Sequence, residues 1–308
     1  MLTQTMNNKE VIREIEKDLM QVSAYFYKRD LFKTLKKKMR KRVVQYPIQY
    51  VETFTSQHEI EWGLHAIAVD KDNLHRAIYA LHRCKSGIAA YTTVPEEGGV
   101  RWQIFSAQFF DQYYKRFLQD EFDEPLQTKE IIQEFMLYNT YEFDFSSYGD
   151  QVEGVLSASL LRLQQDGSQQ IMGAIEDGIC MGLQDWPCSI YSTFISYEMI
   201  RKDQELLVNY LKAGLNLFKK GFCVSTFRVD NDRTFDIEKH LDEIAECLIL
   251  RHMLNITLEA QDQKMTEEEA VDFIVKFTQK SKEAKALYEK TNLDVRFKPM
   301  EQILKLKK

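Results

Sequence analysis

The sequence predicts an α+β fold, an antiparallel sheet flanked by helices, on three observations. Side chains alternate between apolar and polar over short stretches in two regions, about 42–106 and 151–195, as strands with one solvated face require. Apolar residues at three-and-four spacing mark a long helix near the start, and that spacing returns after Ser196. Asp-Gly and Gly-Gly steps interrupt the alternating runs where hairpin turns belong. The predicted division is a sheet-containing region, 1–196, and a helical region, 197–308. No Pro/Gly/Ser-rich linker separates the two, so the second packs on the first as a single unit or forms a domain of its own.

Over 8–39, Ile12, Ile15, Leu19, Val22 and Phe26, then Phe32, Leu35 and Met39, fall on one helical face. After Arg42 the period shortens, with Val44, Tyr46, Ile48 and Tyr50 alternating with Gln45 and Gln49. Pro47 has no N–H to donate to a ladder, which confines this stretch to an edge strand or an irregular one. Alternation resumes over 59–69, with Trp62, Leu64, Ala66 and Ala68 on one face, whereas 73–84 has no readable period. Two strand-like runs, 87–94 and 100–106, enclose Pro95, Glu96, Glu97, Gly98 and Gly99, read as a five-residue hairpin loop. That register puts Ile88, Ala90, Trp102 and Ile104 on a buried face, and Tyr91, Thr93, Arg101 and Gln103 on a polar outer one.

Helical spacing follows over 107–119, with Phe109, Phe110, Tyr113 and Phe117 inward and Gln108, Gln112 and Arg116 on the opposite side. A second helix covers 129–138, and 144–150 reads as a loop. Strands are expected near 152–163, 169–175, 178–183 and 188–195, with turns at Asp166-Gly167, Asp177-Gly178 and Trp186-Pro187. A helix over 198–220 places Leu207, Leu211, Gly214 and Phe218 on one face and ends at Gly221 as its cap. Further helices are expected over 236–258 and up to about 290, the last opened by the capping pair Thr266 and Glu269.

Composition is that of an ordinary globular chain, 44% hydrophobic and 29% charged over 308 residues, which excludes disorder as the default reading. No stretch approaches the roughly 18 consecutive apolar residues of a membrane-spanning helix, and 1–19 lacks the apolar core of a signal peptide. The expectation is a cytoplasmic protein with no membrane association. Five scattered cysteines, Cys84, Cys180, Cys188, Cys223 and Cys247, form no C-x-x-C pair and fit a reducing compartment better than a disulfide scaffold. Charge is uneven: residues 1–50 carry a net of +7, which leaves −13 for the rest of a chain whose total is −6.

Reactive motifs fail one by one. The glycines form neither G-x-G-x-x-G nor a Gly-Lys-Ser/Thr phosphate loop, and no G-x-S-x-G elbow is present. His58-Glu59 begins like a zinc-protease helix, but Trp62 stands where the second histidine belongs. His75, His82 and Cys84 lack a zinc-site spacing and an evident fourth donor. Asp230, Asp232 and Asp236 resemble the start of a calcium loop, but Phe235 and Leu241 fill the obligatory glycine and glutamate positions. No metal and no cofactor is expected.

Two function classes remain. The first is a binding or interaction protein without a recognisable catalytic motif, whose partner is another protein or a small ligand. The second is a nucleic-acid-binding protein or metal-independent ribonuclease with RNA as its partner. In it, Lys36, Lys37, Lys38 and Arg40, within the basic run 28–42, neutralise phosphates. His65, Arg101, Tyr91 and Arg116 then supply acid, base and cation for cleavage. An acidic pI of about 5.7 and the negative balance beyond residue 50 oppose a polyanion everywhere except at that basic run.

Overall fold

The computed structural model describes residues 2–28, 35, 37–38, 45–68, 74–96, 99–139, 143–146, 169–185, 187–200, 205–223, 228–229, 235–236, 238–240, 242–244, 246–247 and 250. The strand expected at 152–163, most of the helix expected over 236–258 and the helix expected up to about 290 lie outside the described residues. The chain divides into two compact units, Met1–Thr140 with Glu176–Tyr197, and Tyr141–Ile175 with Glu198–Lys308.

In chain order the principal elements are α1 (Asn8–Lys28), β1 (Ile48–Thr55), β2 (Glu61–Ala68), β3 (Leu74–Cys84), β4 (Gly87–Glu96), β5 (Gly99–Phe105), α2 (Ala107–Tyr113), α3 (Thr128–Tyr138), β6 (Phe143–Ser146), β7 (Gln169–Ala174), β8 (Gly178–Asp185), β9 (Cys188–Ser196) and α4 (Glu205–Lys219). Helices beside a mostly antiparallel sheet make the protein α+β. Among the described residues no helix is long and apolar enough to cross a membrane.

In the first unit the strands pair in the order β1-β2-β3-β4-β5-β9-β8, antiparallel except where β5 runs parallel to β9. Helix α1 starts at a reciprocal cap, the Glu10 amide donating to Asn7 Oδ1 (3.0 Å) and the Asn7 amide to Glu10 Oε2 (2.8 Å). Its apolar stripe, Val11, Ile12, Ile15, Val22 and Phe26, is buried against Trp62, Leu64, Ala80, Tyr91, Trp102 and Ile104. Ser106 caps α2 by accepting from the Phe109 amide (3.2 Å), and α2 runs on into one π-helical turn, Tyr114–Leu118. On the other side of the sheet, Phe109, Phe110 and Tyr113 of α2 and Phe135 of α3 meet Phe105 and Phe194 in edge-to-face and tilted contacts. Both faces are therefore covered at the centre of the sheet, and the adjacent Tyr79 and Ala80 of β3, which point to opposite faces, are both buried, so this strand has no simple alternation to read.

That double cover also corrects the predicted hairpin. Strands β4 and β5 extend to Glu96 and Gly99, and their register pairs Tyr91 with Ile104, Thr93 with Trp102 and Thr92 with Gln103. A one-residue difference from the expected register moves Tyr91 and Thr93 onto the face of Trp102 and Ile104, while Arg101 and Gln103 stay opposite. The expected polar outer face, Tyr91, Thr93, Arg101 and Gln103, does not form. Tyr91 is 2% exposed, Gln103 6% and Arg101 8%.

In the second unit β6 pairs antiparallel with β7. Helix α4 buries Leu207, Leu211 and Gly214 and is followed by Gly221 at φ 93°, a left-handed cap that glycine adopts without steric penalty.

Candidate functional site

On the α1 side of the sheet, polar groups serve to fix the helix. The Tyr91 hydroxyl donates to Asn8 Oδ1 (2.8 Å), and His82 Nε2 lies 2.9 Å from the Thr3 carbonyl. Asp18, 1% exposed, accepts from the Ser56 hydroxyl, from His58 Nδ1 (2.5 Å) and from the His58 amide (3.3 Å). Burial pushes this carboxyl up, but the bonds from Ser56 and His58 outweigh it and hold the group below the ordinary aspartate value. The carboxylate sits between serine and histidine, so the imidazole has no hydrogen bond to the hydroxyl and cannot activate it as a nucleophile's base does. The set instead ties α1 to the turn between β1 and β2, where Glu59 takes φ 59° and the Ser56 amide donates to the Ile60 carbonyl (2.9 Å).

On the opposite face, Gly63 of β2 pairs with Tyr79 of β3, and the tyrosine ring lies across the glycine. This brings the Tyr79 hydroxyl within 3.0 Å of His65 Nε2. His65 is 1% exposed, and burial drives its imidazole down to about 4, so the ring is neutral at physiological pH. Its Nδ1 is buried and has no hydrogen-bond partner among the described residues. Nearby, Lys129 of α3 pairs with Glu61 through both carboxylate oxygens, at 2.7 Å for Oε2. Further along, Arg101 Nη1 donates to the buried Ser189 hydroxyl (2.8 Å).

His65 and Arg101 thus share a face but stand on β2 and β5, three strand steps or about 14 Å apart. Tyr91 lies on the other face. Arg116 is engaged with the Phe194 carbonyl and with Gln112 Oε1 (3.1 Å), while Gln112 Oε1 also accepts from the Phe194 amide (3.1 Å). The structure therefore does not bring His65, Arg101, Tyr91 and Arg116 into one cleft. Lys37 and Lys38 are exposed, whereas Lys36 and Arg40 lie outside the described residues. Among the described residues no group of three or more His, Cys, Asp or Glu is placed to hold a metal ion.

One feature escaped the sequence reading and another was reached only in part. The first is a half-buried acid: Asp177 Oδ2 accepts from the Tyr113 hydroxyl (2.6 Å) and Asn139 Nδ2 (2.7 Å), joining the ends of α2 and α3 to the turn before β8. Burial raises the Asp177 carboxyl despite those bonds, and Glu134 is raised by burial and by the charge of Asp177. Only the turn residues Asp177-Gly178 signalled this position in the sequence. The second is β1, which begins inside the stretch read as an edge or irregular strand, runs on to Thr55 and is the terminal strand of the sheet order. Gln49, Val51, Thr53 and Thr55 on one face are exposed, while Ile48, Tyr50, Glu52 and Phe54 on the other are half-buried. Beside the exposed row stands Tyr138 at the end of α3, whose hydroxyl accepts from Gln49 Nε2 (2.8 Å). Val51 is 41% and Tyr138 44% exposed.

No protein-family model matches the chain, and no curated protein and no solved structure is significantly similar to it.

Proposed function

We propose that the protein works by binding rather than by catalysis, and that its binding surface is the outer edge of β1 with the adjoining shelf of Gln49, Val51, Thr53 and Tyr138. The observation that carries this reading is the open strand. Among the described residues no strand pairs with the outer side of β1, which contains neither proline nor lysine and carries a single charge, the half-buried Glu52. Proline and lysine are common means of blunting a sheet edge, and a terminal strand without them offers main-chain groups to a further strand. Main-chain hydrogen bonds would hold an extended segment of a partner protein there, with alternate side chains resting on the shelf. Hydrogen–deuterium exchange over Ile48–Thr55 tests it. The outward amides exchange fast in dilute protein and slow once a strand is bound; uniformly slow exchange in the dilute chain refutes the reading.

A second reading, RNA binding through Lys36, Lys37, Lys38 and Arg40, draws support from the exposure of Lys37 and Lys38. On this reading RNA is held at low salt and released when the four are replaced by glutamate, because phosphate contacts set the affinity. Failure to bind RNA at low salt removes it, and with it the ribonuclease role of His65, Arg101, Tyr91 and Arg116.

A further inference from the structure

We infer that Asp177 is a positioning residue for the β1 shelf, holding Tyr138 in place through Asn139; this rests on the reading of that shelf as a binding surface. Tyr138 is the last residue of α3, and the bond from Gln49 Nε2 to its hydroxyl (2.8 Å) joins the exposed ring to β1. Where the ring stands therefore depends on how the end of α3 is held, and a helix end without fixed partners frays. Asn139 supplies those partners. It leaves the helical region at φ −102° and ψ 51°, and its amide (2.9 Å) and Nδ2 (3.1 Å) both donate to the Phe135 carbonyl, closing the last turn. Asp177 clasps the same side chain from both ends: Asn139 Nδ2 donates to Oδ2 (2.7 Å), and the Asp177 amide donates to Asn139 Oδ1 (3.3 Å). The Tyr113 hydroxyl, donating to that Oδ2 (2.6 Å), ties the anchor to α2.

The clasp also makes the shelf responsive to charge. Glu134 of α3 and Glu176 of the same turn face Asp177, with the Tyr113 and Tyr197 phenols beside it from α2 and from the residue after β9, and no cation is among these groups. When Asp177 and Glu134 are both ionised they repel, which drives α3 away from the turn while Asn139 draws its end inward. Ionisation of Asp177 therefore shifts the end of α3, and Tyr138 with it. Burial raises the Asp177 carboxyl, so this step falls above the ordinary aspartate range.

Fluorine NMR of the full chain carrying 3-fluorotyrosine, with the Tyr138 signal assigned from Y138F, tests the inference. Q49A, which removes the Tyr138 partner on β1, marks the position of the released ring. D177A and N139A are expected to move the Tyr138 signal to that position, and D177N, which keeps an acceptor for both donors, is expected to leave it in place. In the wild-type chain the signal is expected to shift with pH at a midpoint above the ordinary aspartate value; D177N abolishes the shift and E134Q lowers its midpoint. A purely structural role for Asp177 would not produce that dependence. A Tyr138 signal unmoved in both D177A and N139A, or one that titrates equally in D177N, overturns the inference. If D177A loosens the whole unit, seen as movement of every tyrosine signal, the wild-type and D177N titrations decide. Exchange at the β1 amides judges the binding reading separately: uniformly slow amides remove that reading and leave the coupling, and fast amides beside an unresponsive Tyr138 do the reverse.

Discussion

Replacing Gly63 with alanine adds one methyl group, and the structure predicts a large loss of stability from it. A Cβ on Gly63 would sit 2.1 Å from Tyr79 Cζ and 2.4 Å from its hydroxyl oxygen, far inside contact distance. The ring must leave, and with it goes the 3.0 Å hydrogen bond between the Tyr79 hydroxyl and His65 Nε2. Overpacking in a dense interior costs about 1–3 kcal/mol. A buried histidine nitrogen and phenol left without each other add about 1–3 kcal/mol. Against this, alanine in a strand restricts the unfolded chain and stabilises by about 0.4–1 kcal/mol. The expected net loss is about 3 kcal/mol, read as a lower urea midpoint at unchanged slope. Y79F isolates the hydrogen bond and is expected to lose about half as much. In a Y79A background the obstruction is gone, so G63A is expected to leave stability unchanged or raise it by up to about 1 kcal/mol. A single G63A variant as stable as the wild type would refute the reasoning.

The buried His65 ring gives a pH signature. Its folded value of about 4 lies below the ordinary 6.5, so the stability it contributes is complete above about pH 6.5 and is lost as pH falls toward 4. The shift corresponds to about 3 kcal/mol. H65Q is expected to flatten that part of the stability–pH curve in urea titrations, and an unchanged slope would contradict it. Asp177 behaves oppositely: its folded value is raised, so its contribution is present below the ordinary aspartate value and is lost as pH rises through the folded value. D177N, which keeps an acceptor for Tyr113 and Asn139, is therefore expected to match or exceed the wild type in thermal stability at pH 8. D177A strands both donors and is expected to lose about 2–3 kcal/mol; equal losses for the two variants at pH 8 would rule this out.

The elements read most directly from the sequence were those whose environment is one-sided. Helix α1 was legible from Ile12, Ile15, Val22 and Phe26 because one stripe is buried and the other wet. Strands β7, β8 and β9 were bracketed by Asp177-Gly178 and Trp186-Pro187, whose turn chemistry is local. Strand β3 was missed because it is covered on both sides. The candidate catalytic set depended on a hairpin register, and the five-residue loop expected over 95–99 set that register one residue away from the observed pairing of Glu96 with Gly99.

The sequence by itself determined the stripes of α1 and α4, the turns before β8 and β9 and the α+β class, because each follows from residues within a few positions of one another. Only the tertiary structure decided that His65 and Arg101 stand three strands apart and that Asp177 binds Tyr113 and Asn139. Those facts depend on strand order and on burial by segments distant in the chain. No local spacing encodes which strand lies beside which.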